Sequence, residues 1–207
     1  MLGLQLPAGH LDVLCLGGHP DDIEIGCGGT LLRLAERDAT IRAHVLTGTP
    51  DRTAESTRAF GLFAPTAKVS FGDFPDGRLP AYWNDVKQSL EDLTATPDLV
   101  LAPRVDDAHQ DHRLLGRLAA TVWRDALVLH YEIPKWDADL TPPTHYVALT
   151  AEQAQRKVEL LNECFPSQTG RDWWDEEMFL GLLRLRGVEC RARYAEAFHT
   201  TKVKVSL

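Results

Sequence analysis

Short apolar runs alternate with helical patterns through the first 130 residues of this chain, and that alternation admits few folds. Leu11–Leu16, Thr40–Leu46, Ala67–Phe71, Asp98–Ala102 and Ala126–Leu129 read as strands. Between them lie helical patterns: Thr30–Glu36 opened by Gly28 and Gly29, Thr53–Phe60 ending at Gly61 as a left-handed cap, Val86–Leu93 closed by Pro97, and a helix from near His112 past Trp123. Strands joined through helices make βαβ units, whose right-handed crossovers put every strand's carboxyl end on one rim. The expected fold is therefore α/β, a mainly parallel sheet with helices on both faces. Pro134, Pro142, Pro143 and Pro166 punctuate the last third, where Glu152–Glu163 and Asp175–Arg186 read as amphipathic helices. With no repeat and no long linker, residues 1–207 are expected to form one domain, an α/β core over 1–130 and a C-terminal extension over 131–207 packed on the sheet.

Two polar clusters stand at the exits of these strands. After the first comes Gly17-Gly18-His19-Pro20-Asp21-Asp22, and after the fourth Asp106-Asp107-Ala108-His109-Gln110-Asp111-His112. Open α/β sheets build their sites at such ends. His19 and Asp22 can hold one metal ion while Asp21 is left as a base. Read alone, the first run is equally an Asx-type turn, and the second a polar helix start. Two such runs at equivalent strand ends meet on one rim, and His19, Asp22 and His112 then make a three-ligand set with a position open for water. Two imidazoles and a carboxylate suit Zn²⁺, and equally Fe²⁺ or Mn²⁺.

Composition narrows the partners. A net charge of −8 argues against nucleic acid or an anionic membrane, both of which call for a basic face. No apolar run reaches membrane-spanning length and Met1–His10 lacks a signal-peptide pattern, so the expected compartment is the cytoplasm. Cys15, Cys27, Cys164 and Cys190 are too widely spaced for a disulfide framework or a CxxC metal site and read as reduced packing residues.

The quartet His19-Pro20-Asp21-Asp22, the following Ile23-Glu24-Ile25-Gly26-Cys27-Gly28-Gly29-Thr30 and the later His109-Gln110-Asp111-His112 resemble the LmbE-like/PIG-L family of zinc-dependent N-deacetylases. Pro75-Asp76-Gly77-Arg78-Leu79 and Tyr194-Ala195-Glu196-Ala197-Phe198 extend the likeness over most of the chain. The resemblance implies a Rossmann-like sheet, a zinc ion on His19, Asp22 and His112, and removal of an N-acetyl group from an amino sugar or related conjugate. It further implies Asp21 as general base, His109 as the group assisting the tetrahedral intermediate with Asp111 orienting it, and Asp76 as a substrate contact. The family's substrate arginine corresponds to Arg52, with Arg58 a competitor because the interval to Gly61 is about one helical turn short. Glu24 is expected to anchor the loop.

The expected partner is a small N-acetylated sugar, and a homo-oligomer is compatible with this reading. Alternatives are an amidase acting on a thiol conjugate or antibiotic precursor, a non-catalytic zinc- or sugar-binding protein, and a nucleotide-binding Rossmann protein. The last is disfavoured because Gly26, Gly28 and Gly29 do not make GxGxxG. Trp173 and Trp174 either floor a sugar pocket or, the favoured reading, anchor the extension.

Overall fold

The computed structural model describes residues 3–205. Among them the chain runs β1 (Leu11–Gly17), α1 (Asp22–Ala35), β2 (Ala39–Thr47), α2 (Pro50–Phe63), β3 (Lys68–Phe74), α3 (Trp83–Glu91), β4 (Leu99–Pro103), α4 (Gln110–Val122), β5 (Leu127–Tyr131), β6 (His145–Leu149), α5 (Ala151–Cys164), α6 (Glu176–Cys190) and β7 (Tyr194–His199), with one 3-10 turn at Leu79–Tyr82. They form a single sheet of order β3-β2-β1-β4-β5-β7-β6, parallel from β3 to β5 and antiparallel at β7 and β6. The fold is thus α/β and mostly parallel, as expected.

Alternation along β1 explains why both faces are covered. Leu11, Val13 and Cys15 point into a core shared with Ile23 and Leu31 of α1, Phe60 and Phe63 of α2 and Leu161 of α5. Leu14 and Leu16 point the other way, to Val86 and Leu90 of α3 and Leu115 and Leu118 of α4. A strand buried on both sides reads as a continuous apolar run, which is what Leu11–Leu16 is. After β1 the chain proceeds to β2 and β3 on one side, then returns to β4 and β5 on the other. The switch point lies between β1 and β4, where the strand ends leave a crevice. Both polar clusters emerge there.

Three local expectations are corrected. The first crossover helix begins at Asp22, not beside Gly28, and breaks at Cys27 (φ −143°, ψ 24°). Its glycines serve close packing: a Cβ on Gly26 would lie 2.1 Å from the Tyr131 ring. Gly61 caps nothing, because α2 runs on to Phe63. The last third does more than pack over the sheet, since β7 and β6 lengthen it beyond β5.

The break in α1 is held by a buried ion pair. The amides of Gly29 and Thr30, which start the second half, donate to the two Glu196 carboxylate oxygens at 2.8 and 2.6 Å. Lys157 Nζ donates to the Ile25 carbonyl at the end of the first half and to Glu196 Oε1, both at 2.6 Å. Groups that a broken helix would orphan are satisfied in this way. Lys157→Met should therefore lower unfolding free energy by about 3–5 kcal/mol, because Glu196 loses the cation that pairs with it in the interior and keeps only its neutral donors. Chemical denaturation reads this, and an unchanged midpoint refutes it.

Candidate active site

The turn after β1 sets two adjacent carboxylates apart. Asp21 takes φ 116° and ψ −25°, a left-handed conformation that costs a non-glycine residue about 1–3 kcal/mol and is found where function demands it. From it Asp22 enters α1 pointing inward, while Asp21 points toward α2. The His19 amide donates to Asp22 Oδ2 at 2.8 Å, closing the turn.

Asp22 meets two imidazoles. His19 Nδ1 lies 3.3 Å and His112 Nε2 3.2 Å from Asp22 Oδ2, and the two nitrogens are 3.1 Å apart. Burial opposes charge on His112, but Asp22 and Asp107 outweigh it and push its pKa up to about 9. Burial is outweighed likewise at His19, whose pKa is raised by Asp22 and Asp111, and at Asp22, which the two imidazoles hold well below the usual carboxylate range. Yet two N–H protons cannot share a 3.1 Å gap. One divalent cation satisfies all three lone pairs, and donors about 2.0–2.1 Å from a tetrahedral zinc stand about 3.3 Å from one another. The donor set therefore fits a metal, and Asp22 Oδ1, buried and unpartnered, remains available to it.

Other groupings are weaker. His109 stacks on His112 with ring centroids 4.4 Å apart, and one nitrogen each of His19, His109 and His112 falls within 4.8 Å of the others. His19, Asp76 and Asp111 gather at the opposite edge of the His19 ring. There the two Asp111 oxygens already accept the amides of Gly77 at 2.8 Å and Leu79 at 3.0 Å, and the Asp76 side chain is exposed.

Behind each inner imidazole stands a carboxylate. His19 Nε2 meets Asp111 Oδ2 at 3.2 Å and Asp76 Oδ1 at 3.0 Å. His112 Nδ1 stands 3.2 Å from Asp107 Oδ1, an ion-pair distance without hydrogen-bond geometry. Carboxylates so placed fix the orientation of metal-binding histidines. The Asp111 carboxylate thus turns to His19, held on that side by its two backbone partners at Gly77 and Leu79, and it is the Asp111 backbone that meets His109. His109 Nδ1 accepts from the Asp111 amide at 3.3 Å, which leaves Nε2 as the protonated nitrogen. Burial and the neighbouring imidazoles lower the His109 pKa. Asp107 was readable only as part of a helix start, and its partner lies five residues on, visible once α4 has formed.

Arg52 and Arg58 separate clearly. Arg52 Nη2 donates to the Pro20 carbonyl and stands 2.9 Å from Asp21 Oδ2, whereas Arg58 pairs with Glu163 on the surface. Burial raises the Asp21 pKa, opposed first by the Lys135 ammonium, with Asp22 raising it and Arg52 lowering it. Asp21 Oδ1 is buried without a partner. Glu24 is buried inside α1, accepts from Ser56 Oγ at 2.6 Å and is pushed up to about 8 by burial.

The family model PIG-L, described as GlcNAc-PI de-N-acetylase, matches residues 14–123, just over half of the chain and the stretch that holds both clusters. The chain belongs to the PIG-L family. Within that de-N-acetylase family, it is 34% identical over 137 residues to the uncharacterized deacetylase YaiS of Escherichia coli (strain K12), covering 59% of this chain and 74% of that one. It is 30% identical over 125 residues to the diacetylchitobiose deacetylase of Thermococcus kodakarensis, covering 51% of this chain and 46% of the relative, less than half of the latter's length. The conserved protein TT1542 from Thermus thermophilus superposes with a TM-score of 0.76 at 25% identity, over 95% of this chain and 97% of that one. No helix among the described residues is long and apolar enough to cross a membrane.

Proposed function

We propose that this PIG-L member is a metal-dependent hydrolase that removes the N-acetyl group from an amino sugar, with His19, Asp22 and His112 holding the metal. The observation that carries the reading is the triangle of His19 Nδ1, Asp22 Oδ2 and His112 Nε2, with the free Oδ1 of Asp21 one residue away. Zinc is the expected ion, and the same donors accept Fe²⁺ or Mn²⁺. When bound, the ion supplies Lewis acidity, which acidifies water and polarises the acetyl carbonyl.

The chain's own groups do the rest. Arg52 holds Asp21 by Oδ2, so Oδ1 is the atom that takes the proton of the attacking water and returns it to the leaving amine. His109, neutral with its proton on Nε2, is the donor to the developing oxyanion; one such donor contributes about 3–4 kcal/mol to lowering the barrier. Asp76, exposed at the mouth beside His19, is positioned for a sugar hydroxyl.

Elemental analysis of the purified protein, with acetate release measured on N-acetylglucosamine, its disaccharide and N-acetylglucosaminyl conjugates, tests this reading. About one metal per chain is expected, with turnover lost on chelation and restored by Zn²⁺. Bound metal without acetate release from any of these compounds refutes the catalytic reading in favour of a binding protein.

A further inference from the structure

Two indoles beyond the sheet, Trp136 exposed and Trp173 partly buried, are held against each other. Trp136 is 63% exposed, yet its Nε1 donates to Asp172 Oδ1 at 3.2 Å. Its ring meets that of Trp173 edge to face, with centroids 5.9 Å apart at 67°. Lys135 Nζ lies over the Trp173 ring, 5.1 Å from its centroid. Trp174 is different: it is buried against Phe165 and Phe179, and its Nε1 donates to Asn162 Oδ1 at 2.8 Å. Trp174 is thus the anchor of the C-terminal third, and Trp173, partly buried, packs against the same core and meets Trp174 edge to face with centroids 5.4 Å apart, which leaves the exposed Trp136 for another task.

Their position follows from the topology. Lys135 and Trp136 lie just beyond the carboxyl end of β5, on the rim that carries both polar clusters. Trp173 belongs to the segment between α5 and α6, which is tied back to the site. Ser167 donates through its amide and hydroxyl to Glu55 at 2.8 and 2.6 Å; Glu55 Oε2 is 3.5 Å from Arg52 Nε, and Arg52 pairs with Asp21.

We infer that Trp136, braced edge to face by Trp173, is the aromatic platform of a subsite for a second pyranose ring, the one joined to the N-acetylated sugar whose acetamide faces Asp21 and His109. The inference rests on the deacetylase reading of that site. A pyranose presents an apolar C–H face edged by hydroxyls; the exposed Trp136 indole, with Asp172 at its edge and Lys135 beside it over the Trp173 ring, matches both parts. An alkyl chain would call for a continuous apolar trough, whereas these rings meet edge to face between charges. A protein partner would call for roughly 800 Å² on this side, far more than two side chains offer.

The test compares wild type with Trp136→Ala and Trp136→Phe on N-acetylglucosamine, N,N'-diacetylchitobiose and an octyl N-acetylglucosaminide. Trp136→Ala should lower the disaccharide-to-monosaccharide ratio of kcat/KM about 5- to 10-fold, mainly through KM, and Trp136→Phe should restore most of it. A ratio unchanged by the substitution, or a larger loss on the octyl glycoside, overturns the subsite. Should wild type release no acetate at all, the deacetylase reading falls. Tryptophan fluorescence then decides the subsite separately: saturable quenching by the disaccharide, lost in Trp136→Ala, sustains it, and absence of quenching in wild type removes it.

Discussion

Asp21→Asn is expected to keep one metal ion per chain and to lower kcat by about 10²- to 10⁴-fold, the loss that follows removal of a general base. The substitution suits the position unusually well. Asparagine tolerates the left-handed conformation that Asp21 adopts at φ 116°, so the turn should survive. Arg52 Nη2, 2.9 Å from Oδ2, orients the new amide so that its oxygen faces the guanidinium and its nitrogen takes the unpartnered place of Oδ1. An amide nitrogen there cannot accept a proton. Nothing is removed from His19, Asp22 or His112, and elemental analysis should therefore match wild type. Turnover within a factor of a few of wild type, with metal content intact, removes Asp21 from the role of base.

What could be read from the chain was set by periodicity and by chemistry concentrated in short runs. Apolar alternation located β1 to β5 to within a few residues, and the rule that parallel strands end on one rim brought His19 and His112 together across 93 residues. Signals that depend on a distant partner were not legible. Gly28 and Gly29 read as the opening of a helix because nothing local reveals the ring of Phe63 or the side chain of Leu149 against them. The strand Tyr194–His199 carries Glu196 on the face of Phe198, a polar residue on a core face, which hides the strand until Lys157 and the broken α1 supply its partners. The family resemblance pairs Asp111 with His109, two residues away. The Asp111 carboxylate is held over His19 by the amides of the Pro75–Leu79 turn, where Gly77 at φ 72° lets the backbone approach. Arg52 and Arg58 lie on the same helix, and only the position of α2 over the β1 turn separates them.

His112→Ala and Asp107→Asn should separate a metal donor from the group behind it. His112→Ala deletes Nε2, the nitrogen 3.2 Å from Asp22 Oδ2, and leaves two donors where a first-row ion calls for at least three protein ligands with one position open. Metal should be lost from the purified protein and acetate release with it. Asp107→Asn leaves the donor in place but removes the carboxylate 3.2 Å from Nδ1, so the ring is less firmly oriented and less basic. Affinity should fall by about 10- to 100-fold, with turnover recovered at saturating metal. Competition against a chelating dye measures both, and circular dichroism checks that α4 persists. His109→Ala is the necessary comparison, because its ring lies on His112 and offers a nitrogen to the same cluster. If His112→Ala keeps wild-type affinity while His109→Ala loses the metal, the third ligand is His109. Asp22 and His19 would then share the ion with the imidazole assigned here to the oxyanion, and Asp107 would have no bearing on binding.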